Sequence, residues 1–380
     1  MIIGIDGRPA NADQPVGIGN FCGELVRALV SIKGGAAFRI YLDAEPRAGF
    51  PVSRDQAEFR VLPRRRGWTQ RTLAADLRRD PPDVFLALGL QMPLRRSCPG
   101  VATVHDLAYR TFPRCFPWRT RMRCRLEAAC VFRRASHLLA VSQSTKEELC
   151  RLYGIGESRV TVVHEGVSAG FGPDLCPGRV DAVRMRYALP ARYVLYVGVL
   201  QPRKNLIRLM DAFMRVRGRR PELPHHLVIV GKEGWLHGPI LQAARESGVK
   251  DFVHILGYVP EEDLPCLMAQ ADALALVSLW EGFGLPALEA MACGTAVIAS
   301  NTSALPEVVG DAGVLVDPYD RDAIEHALER ILLDDGFRAS LEKAAIRRAA
   351  EFTWRHSAET VLGVLTTMAA TGKAGRGVRA

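Results

Sequence analysis

Two glutamates flank a glycine-proline turn in SLWEGFGLPALEAMACGTAVIAS, at Glu281 and Glu289. The run ALALVS just before it reads as a strand, and PALEAMACG as a helix that Pro286 opens where a missing N–H costs nothing. Between them GFGL presents backbone N–H groups at the positive end of the helix, a ready cradle for phosphate. A carboxylate would repel a phosphate held there. It accepts hydrogen bonds only, and its natural partners are hydroxyl donors in pairs. A ligand with phosphates in the middle and diols at both ends fits, namely a nucleotide sugar. Acids placed merely to complement the helix dipole would look the same on spacing alone.

A second constellation stands after the strand pattern YVLYVG. In VLQPRKNLIRLMDAF, Arg203 and Lys204 stand at the carboxyl end of that strand and the start of a helix. Together they supply a bidentate fork and a point charge, suited to a diphosphate. They would neutralise the charge growing on a leaving nucleoside diphosphate without a metal. Two surface cations ahead of a helix are the plainer alternative. If the pair lines an open cleft, Lys204 is exposed, and Lys204→Ala should cut turnover far more than stability. His105, next to Asp106, ends the strand run VATVHD, where ligands to such sheets collect. A neutral imidazole there could donate to a sugar hydroxyl or steady oxocarbenium charge, or be structural.

Other patterns weigh against competing chemistries. GIGNFCG has Cys22 where a dinucleotide fingerprint needs its third glycine, and it stands too far from the strand IIGID. The acids of Asp320-Arg321-Asp322 read as helix capping, and His225–His226, without acidic or cysteine partners at ligand spacing, reads as a loop pair. No metal and no cofactor are expected.

These residues need a scaffold that brings strand ends together. IIGID, FRIYL, DVFLAL, VATVHD, HLLAVS and VTVVHEG are short, nearly continuous apolar runs, as in strands of a parallel sheet buried on both faces. Helical patterns alternate with them, including NFCGELVRALVSI and STKEELCRLYG, the latter with a Ser or Thr N-cap three residues before Glu147 or Glu148 and Gly154 at its end. AGFGPDLCPG, residues 169–178, has no periodicity and reads as a linker. Beyond it comes a second series: YVLYVGVL, HLVIVG, FVHILG, ALALVS, AVIAS and GVLVD. The expected fold is α/β, two Rossmann-like doubly wound parallel-sheet domains facing a deep cleft. The expected divisions are 1–170, 179–353, and a helix 354–372 that crosses back to the first domain. The tail GKAGRGVRA is expected to fray.

Composition agrees with a two-domain globular chain: 380 residues, 48% hydrophobic and 24% charged. A strand pattern from Ile2 is unlike a secretory signal, and nine scattered cysteines without CxxC suit reduced thiols, so a cytoplasmic protein is expected. The net charge of +9 is concentrated: Arg60 to Arg134 holds 17 arginines against five acids. Such a field attracts phosphorylated substrates, acidic membranes or nucleic acid, or is simply a solvated face. No helix-turn-helix, RNP aromatic set or zinc finger is visible, so no nucleic-acid partner is expected. WRTRMRCRLEAACVFRRA, residues 118–135, places Trp118, Met122, Leu126, Ala129 and Cys130 on one helical face with arginines around the rest. That face either packs on a core or lies on an anionic membrane.

The stretches GVLQPRKNL, EGFGLPALE and ASNTSALPEVVGDAGVLVDP, with GIGNF, TVHDLAYRTFP and AVSQSTKEEL upstream, resemble the retaining glycosyltransferases of family 4, which have the GT-B fold. The resemblance covers nearly the whole chain. It implies that Arg203 and Lys204 bind the donor diphosphate, that Glu281, Gly282, Phe283 and Gly284 contact the donor sugar, and that the Leu285 N–H meets a phosphate. It further implies Glu289 on the ribose, Gly198 in the donor set, His105 near the donor sugar, and Gly17 and Gly19 in a loop over the phosphates. HDLAYRTFP is similar to bacterial mannosyltransferases using GDP-mannose. Gln201, where Glu is frequent, and HEGV in place of Pro-Asn-Gly-Val depart from the commonest pattern. The expected reaction is same-face hexosyl transfer from GDP-mannose or a UDP-hexose to a glycan or polyprenyl-diphosphate-linked acceptor in surface polysaccharide synthesis. A nucleotide-sugar epimerase on the same fold is the alternative, and it would consume donor without an added acceptor.

Overall fold

Short apolar runs become strands here because helices cover both faces of each sheet. The computed structural model describes residues 1–13, 17–32, 34–246 and 248–377, and side chains as far as residue 372. The first sheet contains β1 (Ile2–Asp6), β2 (Ala37–Leu42), β3 (Glu58–Val61), β4 (Val84–Ala87), β5 (Gly100–Val104), β6 (His137–Ala140) and β7 (Val160–Val162). Its order is β3-β2-β1-β4-β5-β6-β7. The second contains β8 (Tyr193–Val197), β9 (His226–Val230), β10 (Val253–Gly257), β11 (Ala273–Leu276), β12 (Val297–Ser300) and β13 (Val314–Val316), in the order β10-β9-β8-β11-β12-β13. The pairings are parallel, for example β1 with β2 and β4, and β11 with β8 and β12. Strand order therefore reverses at β1/β4 and again at β8/β11, and such switch points open a crevice beyond the strand carboxyl ends.

One strand escapes the apolar-run criterion. In β3, EFRV, charged residues alternate with apolar ones, because it is the sheet edge and only half-covered. Glu58 takes Arg39 at 2.8 Å and Arg60 at 2.7 Å, and Arg60 also pairs with Asp80. Charge on an edge strand discourages a further strand from adding.

The helices that position the site and its surroundings are α1 (Ile18–Ser31), α2 (Trp118–Arg134), α3 (Gln143–Tyr153), α4 (Leu206–Arg219), α5 (Leu285–Ala292), α6 (Arg321–Leu333) and α7 (Trp354–Gly377). The N-cap of α3 is Ser142, ahead of the expected Ser144 or Thr145. Its Oγ accepts from the Thr145 N–H at 3.1 Å, and Gly154 closes the helix in the left-handed region at φ 63°.

The chain divides into two compact units. One holds Met1–Leu107, Met122–Gly166 and the chain from Thr353 on; the other holds Ala108–Arg121 and Val167–Phe352. The segment Ala108–Arg121, expected with the first domain, groups with the second for a packing reason. The Phe112 ring lies 5.9 Å from that of Trp280, Phe116 lies 5.2 Å from Trp235, and Trp235 Nε1 donates to the Cys115 carbonyl at 2.7 Å. In the first unit α7 buries Trp354, Ala358, Val361 and Leu365 on one face, and Trp354 meets Phe21 of α1 edge-on at 5.6 Å. A Cβ on Gly166 would stand 2.2 Å from the Trp354 nitrogen, so only glycine lets β7's exit pass the start of α7. The tail expected to fray from Gly372 instead continues α7 to Gly377, and its last three residues lie outside the described residues. Among the described residues no helix is long and apolar enough to cross a membrane. All nine cysteines carry free thiols.

Candidate functional site

At the second switch point the ends of β8 and β11 deliver the cations and the first acid to one place. After Val197 the chain passes Gly198, makes a short 3-10 turn at Pro202–Lys204 and enters α4. A Cβ on Gly231, at the end of β9 with φ 151°, would sit 1.9 Å from the Gly198 carbonyl oxygen; the two strand exits cross backbone against backbone. Asn205 then adopts φ 60°, a left-handed conformation that Asn tolerates better than most residues. Its Nδ2 donates to the Val277 carbonyl at 3.0 Å and the Pro318 carbonyl at 2.7 Å, which pins the Arg-Lys turn to the end of β11.

The result is a buried ionic cluster. Lys204 Nζ lies 2.5 Å from Glu281 Oε1, and Arg203 Nη1 lies 3.2 Å from Glu281 Oε2 and 2.6 Å from the Trp280 carbonyl. Ser278 Oγ donates to the same Oε1 at 2.6 Å. Ser303, itself at φ 59°, accepts from the Glu281 N–H at 3.0 Å. Lys204 is 8% exposed and Glu281 6% exposed, which corrects the expectation of a lysine standing open to solvent. The physical reason is long-range pairing: each charge is desolvated against the other, 77 positions away.

This pairing also changes what Glu281 can offer. A carboxylate has about four lone-pair positions. Both on Oε1 are engaged by Lys204 and Ser278, and Oε2 already receives Arg203. One acceptor direction is left, enough for a single hydroxyl and too few for a diol. Burial on its own pushes the Glu281 carboxyl up, but the Lys204 and Arg203 charges outweigh it. With hydrogen bonds from Lys204 and Ser278 they hold it at about 2. The acid is ionised, and its main work in this state is to orient the two cations.

The adjoining turn is built by Gly284, at φ 108°, where a Cβ would lie 2.5 Å from Leu305 Cδ2. Any side chain would strain the backbone and drive into Leu305, so the tight entry to α5 needs glycine. Leu285 is the first helical residue and Pro286 the second, one place later than expected. The Leu285 N–H has no partner inside the helix. Phe283 is buried, 5.9 Å from the Phe352 ring, and Glu289 lies one turn into α5, 4% exposed. The structure thus collects Gly198, Arg203, Lys204, Glu281, Gly282, Phe283, Gly284, Leu285 and Glu289 at the carboxyl end of one sheet.

His105, Gly17 and Gly19 belong to the other unit. His105 stands just after β5, its Nε2 lies 2.9 Å from the Leu88 carbonyl, and the Phe21 ring meets it edge-on at 4.7 Å. A carbonyl only accepts, so Nε2 carries the proton and Nδ1 keeps the lone pair. Burial lowers the pKa, so the ring is neutral. It can accept a hydrogen bond from a hydroxyl at Nδ1 and has no N–H left to donate, which reverses the expected polarity. Gly17 caps α1 at φ 50° and Gly19 lies in its first turn, so these glycines start a helix. At the first switch point Arg8 forks onto Asp6, at 2.9 and 2.6 Å, and stacks over Trp68 at 4.1 Å.

The remaining motifs are structural. Asp320 caps α6, accepting from the Ala323 N–H at 3.0 Å, while Asp322 pairs with Arg215. His226 is not in a loop: it opens β9, its Nδ1 2.8 Å from His254 Nε2, and His225 is buried beside Asp272. Sequence reasoning missed Asn205, Ser278, Trp280 and Ser303. For Asn205 and Ser278 a signal existed, since a polar residue directly after PRK and another three residues before Glu281 both sit at strand or turn ends.

Comparison with known proteins bears on the same residues. The model of "Glycosyl transferases group 1" matches residues 187–348 and that of "Glycosyltransferase Family 4" matches 16–171. O-antigen chain mannosyltransferase B of Escherichia coli is 34% identical over 305 residues, covering 78% of this chain and 76% of that protein. The chain belongs to glycosyltransferase family 4. This family 4 chain is also 29% identical over 239 residues, 62% of its length, to the serotype-specific mannosyltransferase WbdA of Escherichia coli, of which it spans only 29%. Among solved structures it shares its fold with HepE of Anabaena, determined with UDP and glucose, at a TM-score of 0.75 and 20% identity over 96% of this chain and 99% of that one. Two parallel-sheet units in this order are the halves of the GT-B fold, and the glycosyltransferase carries its ionic cluster at the second switch point.

Proposed function

We propose that the enzyme transfers mannose from GDP-mannose, with a UDP-hexose as the alternative donor, to a hydroxyl of a glycan or polyprenyl-diphosphate-linked oligosaccharide in surface polysaccharide synthesis. The observation that carries the reading is the convergence of Arg203 and Lys204 on Glu281 beside the N-terminus of α5. Two cations brought together beside the amides at a helix start suit a diphosphate. The mannosyltransferase names of the relatives support the sugar.

In this mechanism the donor C1–O bond to phosphate breaks as charge builds on the leaving diphosphate. Lys204, Arg203 and the Leu285 N–H stabilise that charge, held in position beforehand by Glu281, Ser278 and Asn205. The acceptor hydroxyl attacks C1 from the same face, its proton passes to the departing phosphate oxygen, and the anomeric configuration is kept. The last free acceptor direction on Glu281 takes one sugar hydroxyl, Glu289 takes the ribose, and Gly17 and Gly19 lie over the phosphates. Neutral His105 receives a hydroxyl at Nδ1. The cation pair replaces a metal, so chelator should leave activity intact. The enzyme works in the cytoplasm, against the inner face of the membrane when its acceptor is lipid-linked.

Incubation of the chain with GDP-mannose or UDP-glucose, with and without mannosylated acceptor, tests this. Donor loss that depends on acceptor, with an α-linked product by NMR, is the expected result. Equal donor loss without acceptor and appearance of an epimer would favour the epimerase alternative.

A further inference from the structure

Helix α2 exposes the apolar face whose sequence suited either a core or a membrane. Its buried residues are Ala128, Val131 and Phe132, all in its second half. The line Trp118, Met122 and Leu126 is instead 65%, 42% and 64% exposed, and exposed Cys130 continues it. These positions recur every four residues, so they form one continuous apolar ridge along a single helix. Exposed Arg119 and Arg123 run beside the ridge, and exposed Arg133 and Arg134 end the helix. Glu127 is the one acid among six arginines in α2. Single exposed apolar residues are ordinary, but a tryptophan, a methionine and a leucine in register are not.

We infer that α2 is a lipid-docking element that lies flat on an anionic membrane surface. Trp118, Met122 and Leu126 enter the boundary between headgroups and acyl chains, and the arginines meet headgroup phosphates. The residue types divide the work. The indole suits the interfacial level, and the arginine stems lie along the ridge while their guanidinium groups stay in the polar layer. Charge selects this occupant over a second copy, since pairing two α2 ridges would bring like rows of arginines together. The inference deepens the lipid-linked acceptor reading but rests only on α2, so it stands or falls whichever sugar donor is used.

Sedimentation of the full chain with vesicles tests it, with no donor or acceptor present. The wild type should bind phosphatidylcholine vesicles containing phosphatidylglycerol, and bind pure phosphatidylcholine at least about 10-fold more weakly. Replacing the ridge, Trp118→Ser, Met122→Ser and Leu126→Ser together, should lower partitioning by about 10-fold or more. Arg119→Gln with Arg123→Gln should lower it by about 10-fold and remove much of its salt sensitivity. Because these side chains are exposed, circular dichroism melts should stay at the wild-type temperature. The inference is overturned if the triple-serine variant keeps wild-type partitioning. It is equally overturned if the wild type ignores anionic vesicles, or if the ridge instead mediates a dimer in sedimentation equilibrium.

Discussion

Lys204→Met should lower turnover by about 10²–10³-fold, the usual effect of removing one charge-stabilising donor from a transferring group. It should also cost stability, about 3 kcal/mol, because the buried Glu281 carboxylate loses its nearest partner and keeps only Arg203 and Ser278. These two losses have different remedies. In Lys204→Met/Glu281→Gln the uncompensated buried charge is gone, so most of the stability should return. Turnover should not, since the cation that meets the diphosphate is still missing. Thermal melts and steady-state rates on the two single variants and the double variant form a closed cycle that separates the roles. A Lys204→Met enzyme that is folded at the assay temperature and works within a few-fold of the wild-type rate would rule out the catalytic assignment.

The second large effect is on acid stability. Glu281 has a folded-state pKa of about 2 against an ordinary value of 4.5. A depressed carboxyl contributes stability that is fully present above the ordinary value and is lost as the pH falls through 4.5 towards about 2. That difference corresponds to about 3 kcal/mol. His105 acts in the same direction at a higher pH, because burial holds it neutral and stability declines as the pH drops below its ordinary 6.5. Urea unfolding at stepped pH should show the wild type losing stability between pH 4.5 and 2. Glu281→Gln should be less stable at neutral pH and flatter across that window. Parallel pH curves for the two proteins would mean that Glu281 is not ionised at the centre of the cluster.

Much of this was legible in the sequence because it is local. Apolar runs such as YVLYV and ALAL announce strands covered on both faces, and GFGLP announces a turn into a helix. The edge strand β3 was not legible, since Glu58 and Arg60 are there to pair with Arg39 and Asp80 and so break the apolar run. The residue types at the candidate site were readable, but their pairing was not. That Lys204 closes on Glu281 depends on β8 lying beside β11, a fact of topology that no spacing records. The tautomer of His105 is decided by the Leu88 carbonyl on a neighbouring strand exit. For α2 the pattern gave an apolar face and left open what would cover it, and the exposure of Trp118 and Leu126 answers only in the folded chain.

The central claim is that Arg203, Lys204 and the start of α5 hold the donor diphosphate. Crystals of the full chain soaked with GDP test it most directly. The β-phosphate should lie about 3 Å from Lys204 Nζ and from the Leu285 N–H, with Arg203 on the same group. Diphosphate density bound elsewhere, with the Lys204–Glu281 pair untouched, would contradict it.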